Sequence, residues 1–273
     1  MDITGYALVT GGASGIGKAS CHALAQEGAS GVMVADINLD GAKETAAALK
    51  SVATHPDFRA EAVQVDVSQE DSVRAAISRM VELFGRIDYS VHSAGVPGGA
   101  SDPITAANFP DFKRLLEVNV HGAFLVTSLV SAAMKSQEPR PVHEKYPERG
   151  TQRGVIVNLA SISSYITLPH MVQYNTSKHA VLAITKTAAI DNVANGIRVN
   201  CICPTWTDTP MVKEATQVVP GLEQRLLVGI PMGRLCRPEE VADTVLYLCS
   251  HRSSFTTGAG IVMDGGMSLS CKT

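Results

Sequence analysis

The glycine-rich run TGGASGIG, Thr10–Gly17, is the feature that most constrains the fold of this 273-residue chain. The apolar segment Tyr6–Thr10 before it predicts a strand, and the segment from Gly15 to Glu27 after it predicts a helix that Gly28 can end. Glycines allow a tight turn and a close approach of the backbone to a ligand, and the free N–H groups at a helix start can hold a pyrophosphate. Although the spacing is G-x-x-x-G-x-G and not the common G-x-G-x-x-G, the strand and helix around the run predict a dinucleotide-binding unit.

Short apolar runs alternate with longer amphipathic stretches along the rest of the chain. The predicted strands are Val32–Ala35, Ala62–Val65, Tyr89–His92, Val155–Leu159, Ile197–Ile202 and Ile261–Met263. The predicted helices are Leu39–Val52, Ser68–Phe84 with Ser68 as N-cap, Phe109–Lys135, Gln173–Asn195 and Glu239–Ser250. This alternation predicts an α/β fold of three layers, a doubly wound parallel sheet of the Rossmann type, in a single domain spanning 1–273.

Two stretches interrupt the alternation. Residues 136–153 are polar and contain three prolines, which predicts a solvated insertion; a partner-binding role is the alternative. Residues 205–234 are apolar and follow the carboxyl end of the sixth strand. Ligands bind beyond that edge of such sheets, so this segment is a candidate substrate lid.

Composition restricts the partners that the chain can have. The net charge of −3 does not favour nucleic acid or an anionic membrane. The first residues lack the pattern of a signal peptide, and no uncharged apolar run approaches the roughly 18 residues that span a bilayer, so we expect a soluble, cytoplasmic protein. The six cysteines include no C-x-x-C pair, which predicts buried or free thiols and no metal site.

Two aspartates end predicted strands on the side of the glycine run. Asp36 lies 19 positions after Gly17, where a carboxylate can accept hydrogen bonds from the adenosine ribose and repel a 2′-phosphate. No arginine or lysine lies in the glycine run or directly after Asp36, so the sequence favours NAD over NADP; the alternative is that Asp36 caps a loop. Asp66 can contact the adenine or, alternatively, cap the following helix.

Tyr174 and Lys178 share one face of a predicted helix because they are four residues apart. A nearby ammonium favours the phenolate, as an acid/base tyrosine in hydride chemistry requires. A solvated helix face explains the pair better than catalysis does when the pair is taken alone. Ser161, whose hydroxyl can bond a substrate oxygen, changes this balance. Asn119, an amide inside a predicted helix, suggests a water-holding or backbone-bonding role, with a solvated face as the alternative.

Taken together, these residues resemble the short-chain dehydrogenase/reductase family over nearly the whole chain. The matching motifs are TGGASGIG, Ala94-Gly95, Asn119, Ser161, the YNTSK run Tyr174–Lys178, Pro204, Thr209 and Asp264-Gly265-Gly266. Two positions depart from the family pattern: His92-Ser93 stands where N-N is usual, and Thr205 follows Pro204 where the family favours glycine. His92 could alter cofactor packing or be a simple polar substitute, and Thr205 removes a flexible backbone position.

The resemblance implies a role for each matching position. It makes Tyr174 the acid/base, Lys178 its partner and a ribose ligand, Ser161 the group that orients the carbonyl, and Asn119 the holder of a water in a proton relay. The implied NAD-binding residues are Gly11, Ser14, Gly15, Ile16, Gly17, Asp36, Asp66, Val67, Ala94, Gly95, Tyr174, Lys178, Pro204, Thr207 and Thr209. The candidate substrate-pocket residues are Ser163, Tyr165, His170, Met171, Trp206 and Met211.

The expected activity is hydride transfer between NAD(H) and a secondary alcohol or ketone of moderate size. Trp206 would suit a flat, apolar or cyclic substrate, or else pack inside the lid, and His170 is either a second acid/base or a polar loop residue. The alternatives from other classes are a redox-silent isomerase or cyclase that uses the same pocket, and a non-catalytic NAD-binding scaffold or sensor. The resemblance also implies a homotetramer formed through the helices around Asn119 and Tyr174.

Overall fold

The computed structural model describes residues 3–98 and 102–269. Its strands are β1 (Tyr6–Thr10), β2 (Gly31–Asp36), β3 (Arg59–Gln64), β4 (Tyr89–His92), β5 (Arg140–Pro141), β6 (Thr151–Gln152), β7 (Gly154–Leu159), β8 (Ile197–Pro204) and β9 (Gly260–Met263). Its α-helices are α1 (Gly15–Gln26), α2 (Leu39–Leu49), α3 (Glu70–Phe84), α4 (Phe109–Leu116), α5 (Gly122–Lys135), α6 (Val172–Asn192), α7 (Pro210–Val218), α8 (Leu222–Gly229) and α9 (Pro238–Cys249).

Seven of the strands form one parallel sheet in the order β3-β2-β1-β4-β7-β8-β9. The order reverses between β1 and β4, which pair directly with Thr10 opposite His92. Crevices beyond the carboxyl ends of strands at such a reversal are where doubly wound sheets bind ligands. The predicted Rossmann-type sheet is therefore confirmed, and its topology places the candidate site at the ends of β1 and β4.

Alternate residues of the central strands supply the cores on the two faces of the sheet. Val9 and Val34 face the layer that contains α1 and α9, whereas Leu8, Met33 and Ile156 face the layer of α3 and α5. Strands that are buried on both faces have continuous apolar sequences. For this reason the short runs of valine and isoleucine predict these strands.

Several predicted boundaries differ from the structure. β3 covers Arg59–Gln64 and not 62–65, because its mixed residues are held by pairing with β2 from Gly31 onward. Gln69 precedes α3 as its cap, so the expectation for Ser68 is wrong. The hydroxyl of Ser68 donates instead to Oδ1 of Asp66 at 2.7 Å, and Asp66 thus stabilises a turn.

The helical stretch Phe109–Lys135 is continuous, as predicted, but not α-helical throughout. A π-helical turn, Glu117–His121, separates α4 from α5. By length and composition this stretch is also long and apolar enough to cross a membrane. Its most apolar 18 residues have a mean hydropathy of 1.4, and 39% of them are buried. The expectation that no run approaches that length is wrong here, and the packing of Val126, Val130 and Met134 in the core accounts for the apolar character.

The two irregular segments both contain secondary structure. Within 136–153, β5 and β6 form a small antiparallel pair, and most residues of this segment are exposed. The segment 205–234 contains α7 and α8, and the N–H of Met232 donates to the carbonyl of Gly265 at 3.2 Å. Its exposed apolar side chains include Val218 and Val228. The carboxyl end of the candidate lid is thus held by the loop that follows β9.

The cysteines agree with the expectation of free thiols. Cys21, Cys201, Cys203 and Cys249 are buried and Cys236 is half-buried; none of these five forms a disulfide. Burial raises the pKa of the Cys249 thiol to about 12, so it stays protonated and unreactive at neutral pH. Cys271 lies outside the described residues.

Candidate active site

The glycine run forms a tight turn between β1 and α1. Gly11 has φ +70°, and a side chain there would overlap the backbone of Ala94 in the loop after β4. A Cβ on Gly17 would overlap the carbonyl oxygen of Gly11, so the missing side chain lets α1 begin directly against the loop. The start of α1 therefore faces the crevice with free N–H groups, an arrangement that suits a pyrophosphate.

Asp36 stands at the end of β2 beside this turn. Its carboxylate accepts hydrogen bonds from the N–H of Ala13 at 3.0 Å and from the N–H of Asn38 at 2.9 Å. These contacts are those of a loop-capping acid, the alternative given above. Each oxygen still has a free lone pair, and Asp36 lines the cavity, so the same carboxylate can also accept hydrogen bonds from ribose hydroxyls.

Ser161, Tyr174 and Lys178 converge on this crevice from β7 and α6. The Ser161 Oγ accepts a hydrogen bond from the N–H of Ser163 at 3.1 Å, which leaves its own proton free to be donated. The Lys178 Nζ donates to the carbonyl of Leu159 at 3.0 Å and lies 5.6 Å from the centre of the Tyr174 ring. The ammonium is thus fixed beside the ring and still has two N–H groups to donate.

Asn119 occupies the π-helical turn and is buried. Its amide bonds both backbone groups of Val96, accepting from the N–H at 2.8 Å and donating to the carbonyl at 3.0 Å. It also donates to the Ser177 Oγ at 3.2 Å, and Ser177 in turn donates to the carbonyl of Tyr174. These are backbone-bonding contacts, and they join the loop after β4 to the helix of Tyr174; one lone pair of the amide oxygen remains for a water.

The two departures from the family pattern are both buried. The His92 Nδ1 lies 2.8 Å from the Thr10 Oγ1, so the histidine joins the ends of β4 and β1 below the glycine turn. Burial, assisted by the charge of Lys178, lowers the pKa of His92 to about 3, and the ring is neutral. Thr205 donates to the sulfur of Met267 at 3.0 Å and lines the cavity wall.

One cavity brings most of the predicted site residues together. Of the cofactor positions, the cavity is lined by Gly11, Ser14, Gly15, Ile16, Asp36, Asp66, Val67, Ala94, Gly95, Pro204, Thr207 and Thr209. Ser161, Tyr174 and Lys178 line it as well, and so do Ser163, Met171, Trp206 and Met211.

Four predicted residues are not on the cavity wall. Gly17 acts through the packing described above, and Asn119 lies behind the wall. Tyr165 is 46% exposed and donates its hydroxyl to the carbonyl of Gly260, so its place in the substrate pocket is wrong. His170 lines a neighbouring groove instead, which does not agree with a second acid/base at the reacting centre.

The sequence interpretation missed several apolar wall residues. These are Val96, Pro97, Gly98, Leu168, Val212 and Ala215. The first three lie in the loop that follows β4, and their place at the carboxyl edge of a strand next to the reversal was the signal that could have found them.

Comparisons with known proteins agree with this geometry. A family model described as Enoyl-(Acyl carrier protein) reductase matches residues 11–268. The chain is 52% identical to the short-chain dehydrogenase fogB of Aspergillus ruber over 269 residues, which cover 98% of each chain.

Two solved structures resemble the fold closely. A levodione reductase structure has a TM-score of 0.86 and 30% identity and covers 97% of this chain and 98% of its own. A 3-ketoacyl-(acyl-carrier-protein) reductase from Brucella melitensis, complexed with NADH, has a TM-score of 0.81 and 30% identity over 96% of this chain and 98% of its own. The chain belongs to the short-chain dehydrogenase/reductase family of oxidoreductases.

Proposed function

We propose that this protein transfers a hydride between NAD(H) and a secondary alcohol or ketone of moderate size, with Tyr174 as the general acid/base. The observation that carries the proposal is the set of contacts around Ser161 and Tyr174. The Ser161 hydroxyl is held with its proton free, and the Lys178 ammonium is fixed 5.6 Å from the centre of the Tyr174 ring. All three residues line a single cavity. That cavity also contains the glycine turn and Asp36.

The residues of the crevice fit a nicotinamide dinucleotide. Added side chains at Gly11 and Gly17 would fill the turn, and the start of α1 supplies N–H groups for the pyrophosphate. When bound, the cofactor accepts a hydride from an alcohol carbon or delivers one to a carbonyl carbon. The neighbour complexed with NADH supports a cofactor of this class.

NAD is the proposed cofactor because of the charge at the end of β2. Asp36 would repel a 2′-phosphate, and neither the glycine turn nor Ile37 beside it supplies a positive charge. The expected result is a kcat/KM at least tenfold higher with NADH than with NADPH. Asp36→Asn should reduce this preference, because the repulsion is removed while the backbone contacts are partly kept; a wild-type preference for NADPH would contradict the assignment.

In the direction of alcohol oxidation, Tyr174 takes the hydroxyl proton as the carbonyl forms. Lys178 stabilises the phenolate that must exist before this transfer, because its ammonium is held beside the ring by Leu159. Ser161 donates its proton to the substrate oxygen, because its bond to Ser163 uses the Oγ as an acceptor and leaves the O–H available. In the reverse direction Tyr174 protonates the carbonyl oxygen, and Ser161 orients the carbonyl by donating a hydrogen bond to it.

Replacement of Tyr174 by phenylalanine tests the acid/base assignment. Because general acid/base catalysis contributes about 10²–10⁴-fold, we expect Tyr174→Phe to lower kcat by that range while the Kd for NADH changes little. Tyr165→Phe is the matched control, because Tyr165 lies off the cavity and should keep turnover. Normal turnover by Tyr174→Phe would refute the mechanism, and product formation without change in NADH absorbance would favour the isomerase alternative.

We further propose that the protein works on free small molecules in the cytoplasm as a homotetramer. The helices expected at its interfaces carry exposed apolar side chains, among them Phe124 on α5 and Ile190 on α6. Apolar side chains grouped on helices of this kind are typical of subunit contacts.

A further inference from the structure

The segments of the active-site cavity wall that hold none of the proposed cofactor positions are mainly apolar. They come from the loop after β4, from the segment before α6 and from α7, and they include Val96, Leu168, Met171, Met211 and Ala215. A Cβ on Gly98 would lie 3.6 Å from the Cβ of Tyr174 and 3.9 Å from the methyl of Met171, so these segments reach the proposed acid/base. A substrate with a largely apolar surface therefore suits this side of the cavity.

The described charges on the cavity wall do not suit an ionised substrate. Among the described residues, the charged side chains that line the cavity are those of Asp36, Asp66 and Lys178. The two aspartates stand at the proposed cofactor end, whereas the Lys178 ammonium is bound to the carbonyl of Leu159 and lies beside the ring of Tyr174. A carboxylate or phosphate on the substrate would thus be buried without a cation of its own, which is unfavourable. We therefore expect an uncharged substrate.

Ser163 is a polar side chain of the wall that the proposed mechanism does not use. It lies two residues after Ser161 in the turn that follows β7, is 1% exposed and lines the cavity. Its N–H, and not its hydroxyl, donates to the Ser161 Oγ. The hydroxyl of Ser164 is bound to the carbonyl of Lys178 at 2.6 Å, whereas no hydrogen bond among the described residues uses the hydroxyl of Ser163. Buried hydroxyls are normally bonded, so this hydroxyl is available to a ligand in the cavity.

The hydroxyls of Ser161 and Ser163 are close enough to hold one small substrate between them. The nitrogen of Ser163 lies 3.1 Å from the Ser161 Oγ. Covalent geometry keeps the Ser163 Oγ within about 4 Å of its own nitrogen, so the two hydroxyl oxygens are at most about 7 Å apart. Two hydrogen bonds of about 2.8 Å each, together with the roughly 3 Å between oxygens on neighbouring carbons, can bridge that distance.

We infer that the substrate is a neutral ketone with a second oxygen on the carbon next to its carbonyl, and that the Ser163 hydroxyl binds this second oxygen. The inference rests on the proposed function, in which the carbonyl lies between Ser161 and Tyr174. Ser163 is then a specificity-determining residue, which touches the substrate but takes no part in proton or hydride transfer. In the direction of oxidation the substrate is the corresponding secondary alcohol with its neighbouring oxygen.

The probes are 2-methoxyacetophenone and butyrophenone, whose chains have equal length and differ in that an ether oxygen replaces one methylene. The measurements are kcat/KM with NADH, and Kd for the complex of the enzyme with NAD⁺, in which a ketone cannot be reduced, by ligand-observed NMR. The ratio of the values for the two ketones is compared between variants, because the intrinsic reactivity of each ketone then cancels. Turnover of neither ketone would refute the proposed function, whereas the Kd ratio tests Ser163 in either case.

Ser163→Ala removes the hydroxyl and keeps the N–H that bonds Ser161, so the proposed catalytic hydroxyl stays in place. A net hydrogen bond changes an equilibrium about threefold to tenfold. We therefore expect Ser163→Ala to lower the preference for 2-methoxyacetophenone over butyrophenone by that factor, both in Kd and in kcat/KM.

Ser164→Ala is the matched control, because it makes the same substitution at a neighbouring buried serine that does not line the cavity. This variant should keep the preference between the two ketones, even where it lowers turnover with both. A preference that Ser163→Ala leaves unchanged, or that the two variants lower equally, would overturn the inference.

Discussion

The neutral, buried His92 makes the stability of this protein depend on pH in a way that one substitution should remove. His92 is 2% exposed, and burial lowers its pKa from 6.5 to about 3. Below pH 6.5 the unfolded chain binds a proton at this histidine that the native protein does not bind. The free energy of unfolding must therefore fall as the pH decreases from 6.5 towards 3.

The size of this effect follows from the difference between the pKa of His92 in the unfolded chain and its pKa in the native protein. A pKa difference of one unit corresponds to about 1.36 kcal/mol, and pH 5 lies 1.5 units below the ordinary value of 6.5. His92 should thus cost about 2 kcal/mol of stability between pH 7.5 and pH 5. This figure is insensitive to the native pKa as long as that pKa stays below 5.

His92→Asn introduces the amide that the family usually has at this position, beside Thr10. Urea unfolding of both proteins from pH 7.5 to pH 5 gives the difference in free energy at each pH, and the carboxylates common to both cancel. We expect the difference to shift by about 2 kcal/mol in favour of His92→Asn at the lower pH. His121→Asn serves as the control, because it makes the same substitution at an exposed histidine. A difference that is constant with pH would show that His92 is protonated in the native protein.

Two further predictions concern the helices that carry the site. Asn119→Ala leaves the N–H and the carbonyl of Val96 without their partner, which should cost about 1–3 kcal/mol for each buried group in thermal or urea unfolding; unchanged stability would contradict the positioning role. Phe124→Arg places a charge on the expected interface of α5, where the phenylalanine is 56% exposed. Light scattering should then show a species smaller than the tetramer, and an unchanged mass would contradict the proposed assembly surface.

The parts of the structure that the sequence predicts well are those in which a local pattern has one physical outcome. The glycine run predicts its turn because a side chain at Gly11 or Gly17 would overlap backbone atoms. The strand residues predict the sheet because burial on both faces selects continuous apolar runs. Tyr174 and Lys178 share a helix face by periodicity alone, and the structure confirms that Lys178 lies beside the ring of Tyr174.

The parts that the sequence predicts poorly depend on contacts between distant segments. The π-helical turn at Asn119 exists together with bonds from that side chain to Val96 and Ser177, neither of which is near it in the chain. Tyr165 lies close to the proposed catalytic residues in sequence, but its hydroxyl donates to the carbonyl of Gly260 in β9 and so points away from the cavity. Proximity along the chain therefore predicts the wrong position for Tyr165, and it does not predict the π-helical turn at Asn119.

These long-range contacts connect the two halves of the candidate site. Asn119 bonds the loop after β4 and, through Ser177, the backbone of Tyr174, whereas His92 bonds the end of β1, from which the glycine turn leaves. The proposed cofactor side and the proposed proton-transfer side are thus each fixed to the β4 end by one buried polar side chain. Since hydride and proton transfer must share one geometry, a shift of the β4 loop would displace both groups together. Variants of His92 and Asn119 should for this reason alter the Kd for NADH and kcat in parallel, whereas Tyr174→Phe should alter kcat alone.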